Sequence, residues 1–229
     1  MSELYLVRHG QASFASDDYD KLSPIGHEQA ALLAAYWCEL GLRFDAVYAG
    51  SLRRQQETAA ALCALSDDPV PRVDAGFNEY DSHAILHCYH QQFAASGDAG
   101  DMKDLKVFQR TLEQACTRWL DNELKGGDSG EEIESFAAFK ARVHGSLETV
   151  MQENPDGRRI VIATSGGVIA AAVQSVLRMP DTETINLHWL LNNASVTRIR
   201  YSGKRRSLEA FNTIGHLEHP GRADRITYR

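Results

Sequence analysis

Apolar positions fall into two kinds of pattern along this chain. Short apolar runs at Leu4–Val7, Ala46–Ala49 and Arg159–Ala163 are bounded by polar or turn residues and read as buried strands. Elsewhere the apolar residues recur at helical spacing. Ile25, Leu32, Leu33, Tyr36, Trp37 and Leu40 mark a helix over about 24–40. Ser23 is a suitable N-cap for it, Pro24 sits where a first-turn proline is tolerated, and Gly41 closes the far end. A second helix is expected from about Leu52, after the Gly50-Ser51 turn, and another from about Gly167 to Leu177. Two late strands, near 194–201 and 207–212, complete the pattern. Strands alternating with helices predict an α/β fold of three layers, with a mostly parallel central sheet and helices on both faces.

The stretch from Ser82 to Gly130 differs in character. It holds His83, His87 and His90, a polar loop at 96–101, a helical pattern from Leu105 to Trp119, and the linker Gly126-Gly127-Asp128-Ser129-Gly130. It reads as a helical cap inserted into a single domain that spans 1–229, and a long helix over about 131–153 leads back to the sheet.

Composition adds boundaries to this picture. With 229 residues the chain buries enough surface to fold without disulfides or metal. Hydrophobic residues at 43% and charged residues at 24% exclude collagen-like, coiled-coil and broadly disordered classes. A net charge of −7 argues against a nucleic-acid binder. The N-terminus has no basic, apolar signal segment, and the apolar run 160–177 is broken by Thr164-Ser165-Gly166-Gly167, so no membrane span and a cytoplasmic location are expected. Cys38, Cys63, Cys88 and Cys116 lack metal-ligand spacing and are expected to be free, mostly buried thiols; no cofactor and no metal are expected.

Ligands of open α/β sheets bind at the carboxyl ends of the strands. Two such ends carry suggestive chemistry. Arg8-His9-Gly10 follows the first strand: a guanidinium fork that matches phosphate oxygens, an imidazole that is nucleophilic if one nitrogen is bare, and a glycine that lets backbone approach a ligand. Thr164-Ser165-Gly166-Gly167 opens a helix whose first amides attract an anion.

The chain also carries, in order, Leu6-Val7-Arg8-His9-Gly10-Gln11-Ala12, Leu22-Ser23-Pro24-Ile25-Gly26, Tyr48-Ala49-Gly50-Ser51-Leu52-Arg53-Arg54-Gln55-Gln56-Glu57-Thr58-Ala59, Phe77-Asn78-Glu79-Tyr80 and Asn193-Ala194-Ser195-Val196-Thr197. This ordered series resembles the histidine phosphatase superfamily, the phosphoglycerate-mutase-like fold, over nearly the whole chain outside the cap. The resemblance implies a phosphomonoester hydrolase or mutase that works through a phosphohistidine without metal. By it, His9 is the nucleophile, Arg8 its phosphate-binding neighbour and Glu79 the acid that protonates the leaving oxygen. Arg54, four residues before Thr58, is the second phosphate-binding arginine, and Arg53 a solvated helix residue.

One position departs from the family. Where a histidine is expected directly before Gly-Gly, this chain has Ser165. Ser165 and the Gly166 amide then remain as neutral phosphate donors, and a neutral donor is about half as strong as a charged one. A reduced rate is expected. His83 and His87 of the cap are weighed as replacements, with solvent-facing positions favoured. Two other functions remain open: a non-catalytic phosphate- or phosphoprotein-binding pseudophosphatase, and a serine hydrolase in which Ser165 pairs with His216 or His219 and Asp181 or Asp224. The expected partner is a phosphorylated small molecule or phosphoprotein, with no nucleic acid and no membrane.

Overall fold

The computed structural model describes residues 1–13, 20–93, 105–124 and 133–228. The cap loop at 96–101, the linker at 126–130 and the expected start of the long helix at 131 lie outside the described residues.

Six strands form one sheet in the order β3-β2-β4-β1-β5-β6. These are β1 (Ser2–Arg8), β2 (Ala46–Ala49), β3 (Arg72–Val73), β4 (Arg159–Thr164), β5 (Val196–Ser202) and β6 (Arg205–Thr213). The first four are mutually parallel, and β5 and β6 run antiparallel to β1 and to each other. The expected α/β architecture with a mostly parallel sheet is therefore present. The helices are α1 (Pro24–Glu39), α2 (Arg53–Leu62), α3 (Ser82–Phe93), α4 (Leu105–Leu120), α5 (Phe136–Glu153), α6 (Gly166–Leu177) and α7 (Asp181–Leu190). Two elements were not expected from the sequence: the two-residue β3, and α7.

Local sequence explains most of these boundaries. Ser23 caps α1, its Oγ accepting from the Gly26 amide at 3.0 Å, and Gly41 just beyond the helix takes φ +66°. β4 lies between β1 and β2 and is buried from Ile160 to Thr164, as a strand covered on both faces must be. On one face of the sheet Tyr5 packs edge to face on Trp37 and Phe44, which are tilted against each other, with ring centroids 5.0–5.6 Å apart, alongside Val7, Leu33, Val47 and Val161.

The chain divides into two compact units, 1–79 with 142–229, and 80–141. In the second unit Trp119 donates its indole N–H to the Glu134 carbonyl at 2.6 Å, and its ring meets Tyr80, Phe136 and Phe139 at 4.9–5.8 Å. His83 and His87 are exposed on α3. Cys63, Cys88 and Cys116 are buried, Cys38 is exposed, and all four are free thiols.

Register within the first unit decides where chemistry gathers. Arg8 pairs with Thr164 and Ala49 with Ala163, so β1, β4 and β2 end side by side. The residues that follow each strand, His9, Ser165 and Gly50, therefore start from one edge of the sheet. The loop after β1 is further closed by α1. A methyl group on Gly10 would lie 2.4 Å from the Gly26 carbonyl oxygen, and one on Gly26 would lie 2.2 Å from the Gln11 carbonyl oxygen. Backbone meets backbone there, and no flexible side chain can yield. Gly10→Ala is expected to cost about 1–3 kcal/mol by overpacking. Urea unfolding checks this; an unchanged midpoint would mean that the contact has slack.

Candidate active site

His9 leaves β1 with its backbone tied on three sides. Its N–H donates to Thr164 O at 2.8 Å, and its carbonyl accepts from the Ala194 amide at 3.2 Å and from Asn193 Nδ2 at 3.3 Å. The next residue, Gly10, donates its amide to Thr58 Oγ1 at 3.1 Å, which anchors the loop to α2. With the backbone fixed, the ring is fixed as well. Nδ1 lies 2.7 Å from the Gly10 carbonyl, and Nε2 lies 3.2 Å from Arg54 Nε. A carbonyl only accepts and a guanidinium N–H only donates, so only one ring state satisfies both contacts: neutral imidazole, proton on Nδ1, lone pair on Nε2. Electrostatics act in the same direction. Burial, then the charges of Arg54 and Arg8, hold the His9 imidazole well below its ordinary pKa.

Arg54 projects from the first turn of α2. Its Nη1 pairs with Asp20 at 2.6 Å, while the other Asp20 oxygen accepts from the Arg53 amide at 2.8 Å. One carboxylate thus holds the guanidinium and the start of the helix together. Arg53 itself turns to Glu57 at 2.8 Å on the exposed side, away from the Arg54–Asp20 pair. Arg8 is buried; its Nη1 donates to the carbonyls of Leu191 and of Tyr228, the latter at 2.9 Å.

Glu79 ends a segment pinned from several directions. Arg142 Nη1 donates to the carbonyls of Gly76 and Asn78 at 3.1 and 2.9 Å. The Phe77 carbonyl accepts from Thr164 Oγ1 and Gln55 Nε2 at 2.7 and 2.9 Å. Glu79 Oε2 then accepts from the Gly167 amide at 3.0 Å, so the Glu79 carboxyl group occupies the start of α6. Ser165 is wholly buried, and its Oγ accepts from Gln55 Nε2 at 2.8 Å.

Three further side chains lie against the candidate residues. Asp20 and Gln55 are common polar residues with no local signature. The third is His188, in the last turn of α7, whose Nε2 is 3.8 Å from Glu79 Oε2. Its own element was not foreseen, although Pro180 followed by Asp181 and Glu183 is a helix-start signal. The partners considered for a serine hydrolase lie elsewhere: Asp181 accepts from Gln174 at 2.6 Å, Asp224 pairs with Arg225, and His216 stacks loosely on Tyr36. Exposed His219 has Nδ1 2.8 Å from the Pro220 carbonyl. Among the described residues no hydrogen bond joins Ser165 to a histidine. Nor do three or more His, Cys, Asp or Glu side chains gather there as a metal site, and no helix is long and apolar enough to cross a membrane.

The family model described as the histidine phosphatase superfamily (branch 1) matches residues 4–214. The chain belongs to the histidine phosphatase superfamily. No curated protein sequence matches it. Among solved structures, a mutant phosphoserine phosphatase from Entamoeba histolytica in complex with phosphoserine has 20% identity and a TM-score of 0.64, covering 95% of this chain and 100% of its own. The native mycobacterial glucosyl-3-phosphoglycerate phosphatase has 22% identity and a TM-score of 0.62, covering 92% and 98%. Its complex with inorganic phosphate has 24% identity and a TM-score of 0.62, covering 94% and 99%. At these identities the likeness is one of fold. This histidine phosphatase superfamily member keeps His9, Arg8, Arg54 and Glu79 in one unit, with Ser165 and Gly166 at the adjoining strand end.

Buried neutral histidines are expected to make this protein less stable in acid. Burial lowers His9 and His188, and burial together with Arg222 lowers His216 to about 4. Each takes up its proton more readily when unfolded, so its contribution is complete above pH 6.5 and is lost as pH falls toward the folded pKa. For His216 the loss amounts to roughly 3 kcal/mol between pH 6.5 and 4. Melting temperature is expected to fall over that window, and His216→Gln to flatten the slope. A melting temperature constant from pH 6.5 to 4.5 would contradict the assignment.

Proposed function

We propose that the protein is a phosphatase that hydrolyses phosphomonoesters through a phosphohistidine on His9. The observation that carries this reading is the state of the His9 ring, with Nδ1–H on the Gly10 carbonyl and the Nε2 lone pair directed at the Arg54 guanidinium. An anion that binds Arg54 is thereby brought to the nucleophilic nitrogen, which is the positioning that phosphoryl transfer needs.

The reaction takes two half-steps. His9 Nε2 gives its electron pair to phosphorus, the phosphorus–oxygen bond of the ester breaks, and protonated Glu79 supplies the proton that the departing alkoxide takes. Glu79, now a carboxylate, accepts a proton from water as the water oxygen attacks phosphorus. The nitrogen–phosphorus bond breaks, its electron pair returns to Nε2, and inorganic phosphate leaves. Glu79 ends as it began, the reciprocal use of one acid–base group. The Gly167 amide holds its Oε2 in place. Arg8, Arg54, Ser165 and the Gly166 amide are proposed to hold the phosphoryl oxygens. Ser165 adds at most a neutral hydrogen bond.

The substrate class follows from the chemistry and from the neighbours in fold. Those neighbours are complexes with phosphoserine, 3-phosphoglyceric acid and inorganic phosphate. A small phosphorylated metabolite with a phosphomonoester is the proposed substrate. The formal charge of −7 repels anions at long range, so attraction is local to the two guanidiniums.

Turnover of p-nitrophenyl phosphate in chelator tests the reading, with denaturing gels of protein quenched at alkaline pH to preserve an acid-labile phosphohistidine. Wild type is expected to turn over and to carry label from a 32P-labelled substrate; His9→Ala is expected to do neither. Arg54→Lys is expected to lose about 10²-fold in kcat/KM, because an ammonium lacks the planar fork. No turnover above the His9→Ala background would overturn the phosphatase reading in favour of a phosphate-binding module.

A further inference from the structure

We infer that His188 is a second catalytic imidazole of this site, its Nε2–H donating to an oxygen of the phosphoryl group carried by His9. The inference rests on the phosphatase reading but adds a residue from a helix that none of the sequence motifs touch.

Geometry comes first. A methyl group on Gly166 would lie 2.7 Å from His188 Cδ2, 3.0 Å from His188 Nε2 and 3.7 Å from Arg8 Nε. The imidazole therefore occupies the space that a side chain at Gly166 would need, beside the Arg8 guanidinium and above the start of α6. Its Nε2 faces Glu79 Oε2 at 3.8 Å, and Glu79 Oε2 itself is held by the Gly167 amide. Three groups assigned to the reaction thus surround one ring edge: Arg8, Glu79 and the opening turn of α6.

The ring is also held firmly in place. His188 is buried and lies flat on Trp189, centroids 4.8 Å apart and 10° between planes. Its helix is fastened by Gln174 Nε2, which donates to Asp181 Oδ1 at 2.6 Å, and by buried Thr184 and Ile185. Directly after α7 the Leu191 carbonyl accepts from Arg8 Nη1, so the helix end and the guanidinium are coupled. Burial of a polar imidazole is unfavourable unless its nitrogens find partners. Its ionisation reflects a balance: burial and Arg8 oppose the imidazolium while Glu79 favours it. A phosphoryl dianion against the ring would add to the favouring side.

The role follows from what is left undone. Phosphoryl transfer spreads negative charge over three oxygens, and catalysis consists largely of meeting that charge with fixed donors. Arg54 meets it beside Nε2 of His9, but at the α6 end Ser165 is turned to Gln55 and offers only a neutral hydroxyl. His188 places a further N–H donor, on a ring held by its packing, at that end. It donates a hydrogen bond and keeps its proton, so the balance of both half-steps is unchanged.

The experiment compares wild type with His188→Ala, His188→Gln and His9→Ala. It reads kcat and KM for p-nitrophenyl phosphate, calorimetric affinity for orthovanadate, and melting temperature. His188→Ala is expected to lose about 10²–10³-fold in kcat with a much smaller change in KM. Its vanadate affinity is expected to fall by about ten-fold or more. His188→Gln, which retains a neutral donor near the Nε2 position, is expected to fall between the two and folds even if the alanine variant does not. A lowered melting temperature with kcat within about three-fold of wild type in the variants would overturn the inference and leave a structural role. Should wild type itself fail to turn over, the phosphatase reading fails separately, and vanadate affinity alone decides: equal binding by wild type and His188→Gln or His188→Ala overturns the inference, and weaker binding by both variants upholds it.

Discussion

The hydrogen bond between His9 Nδ1 and the Gly10 carbonyl, 2.7 Å long, is the interaction on which the site depends. It fixes the proton on one nitrogen and so strips it from the other. That bond needs the chain to turn sharply after β1, and the turn needs the loop backbone to meet that of α1, which Gly10 in the loop and Gly26 in the helix allow. It also needs β1 and β4 to end together, because the His9 amide is tied to the last carbonyl of β4. Sheet register, a steric restriction and a tautomer are thus successive links of one chain. A slip of one residue in β1 would turn His9 to the other face of the sheet and undo all three.

Charge in the site is balanced internally. Arg54 is paired with Asp20, the start of α6 with Glu79, and Arg8 with two carbonyls. These contacts hold the donors in position at a cost, since an incoming phosphate must compete with carboxylates for the same groups. Preorganised donors of this kind need little rearrangement when charge develops. The arrangement also accounts for the neutral state of His9, because two cations beside a buried imidazole leave no room for a third.

Much of this could be read from the sequence because the informative residues are local. β1, β2 and β4 are unbroken apolar runs, and α1 is marked at both ends by Ser23-Pro24 and Gly41. His9, Arg54 and Glu79 sit in motifs whose spacing carries the resemblance. α7 has only the start signal of Pro180 with Asp181 and Glu183, and no apolar periodicity to carry it further. Its sequence Asp-Thr-Glu-Thr-Ile-Asn-Leu-His-Trp-Leu is rich in weak helix formers and has no single apolar stripe. It is held by α6 through Gln174 and buried Ile185, a tertiary arrangement. His188 was hidden with it. The hydroxyl of Ser165 gave a partial picture for the same reason: its partner Gln55 is distant in sequence, and only the fold brings the two together. β3, with two residues, is too short for any periodicity to register.

The most direct measurement of the central claim is a long-range 1H–15N correlation spectrum of the 15N-histidine-labelled protein, recorded from pH 7 down to pH 5.5. A neutral His9 ring throughout, with the proton on Nδ1 and an unprotonated Nε2, is the result that this account predicts. An Nε2–H tautomer, or an imidazolium that forms near pH 6.5, would contradict it.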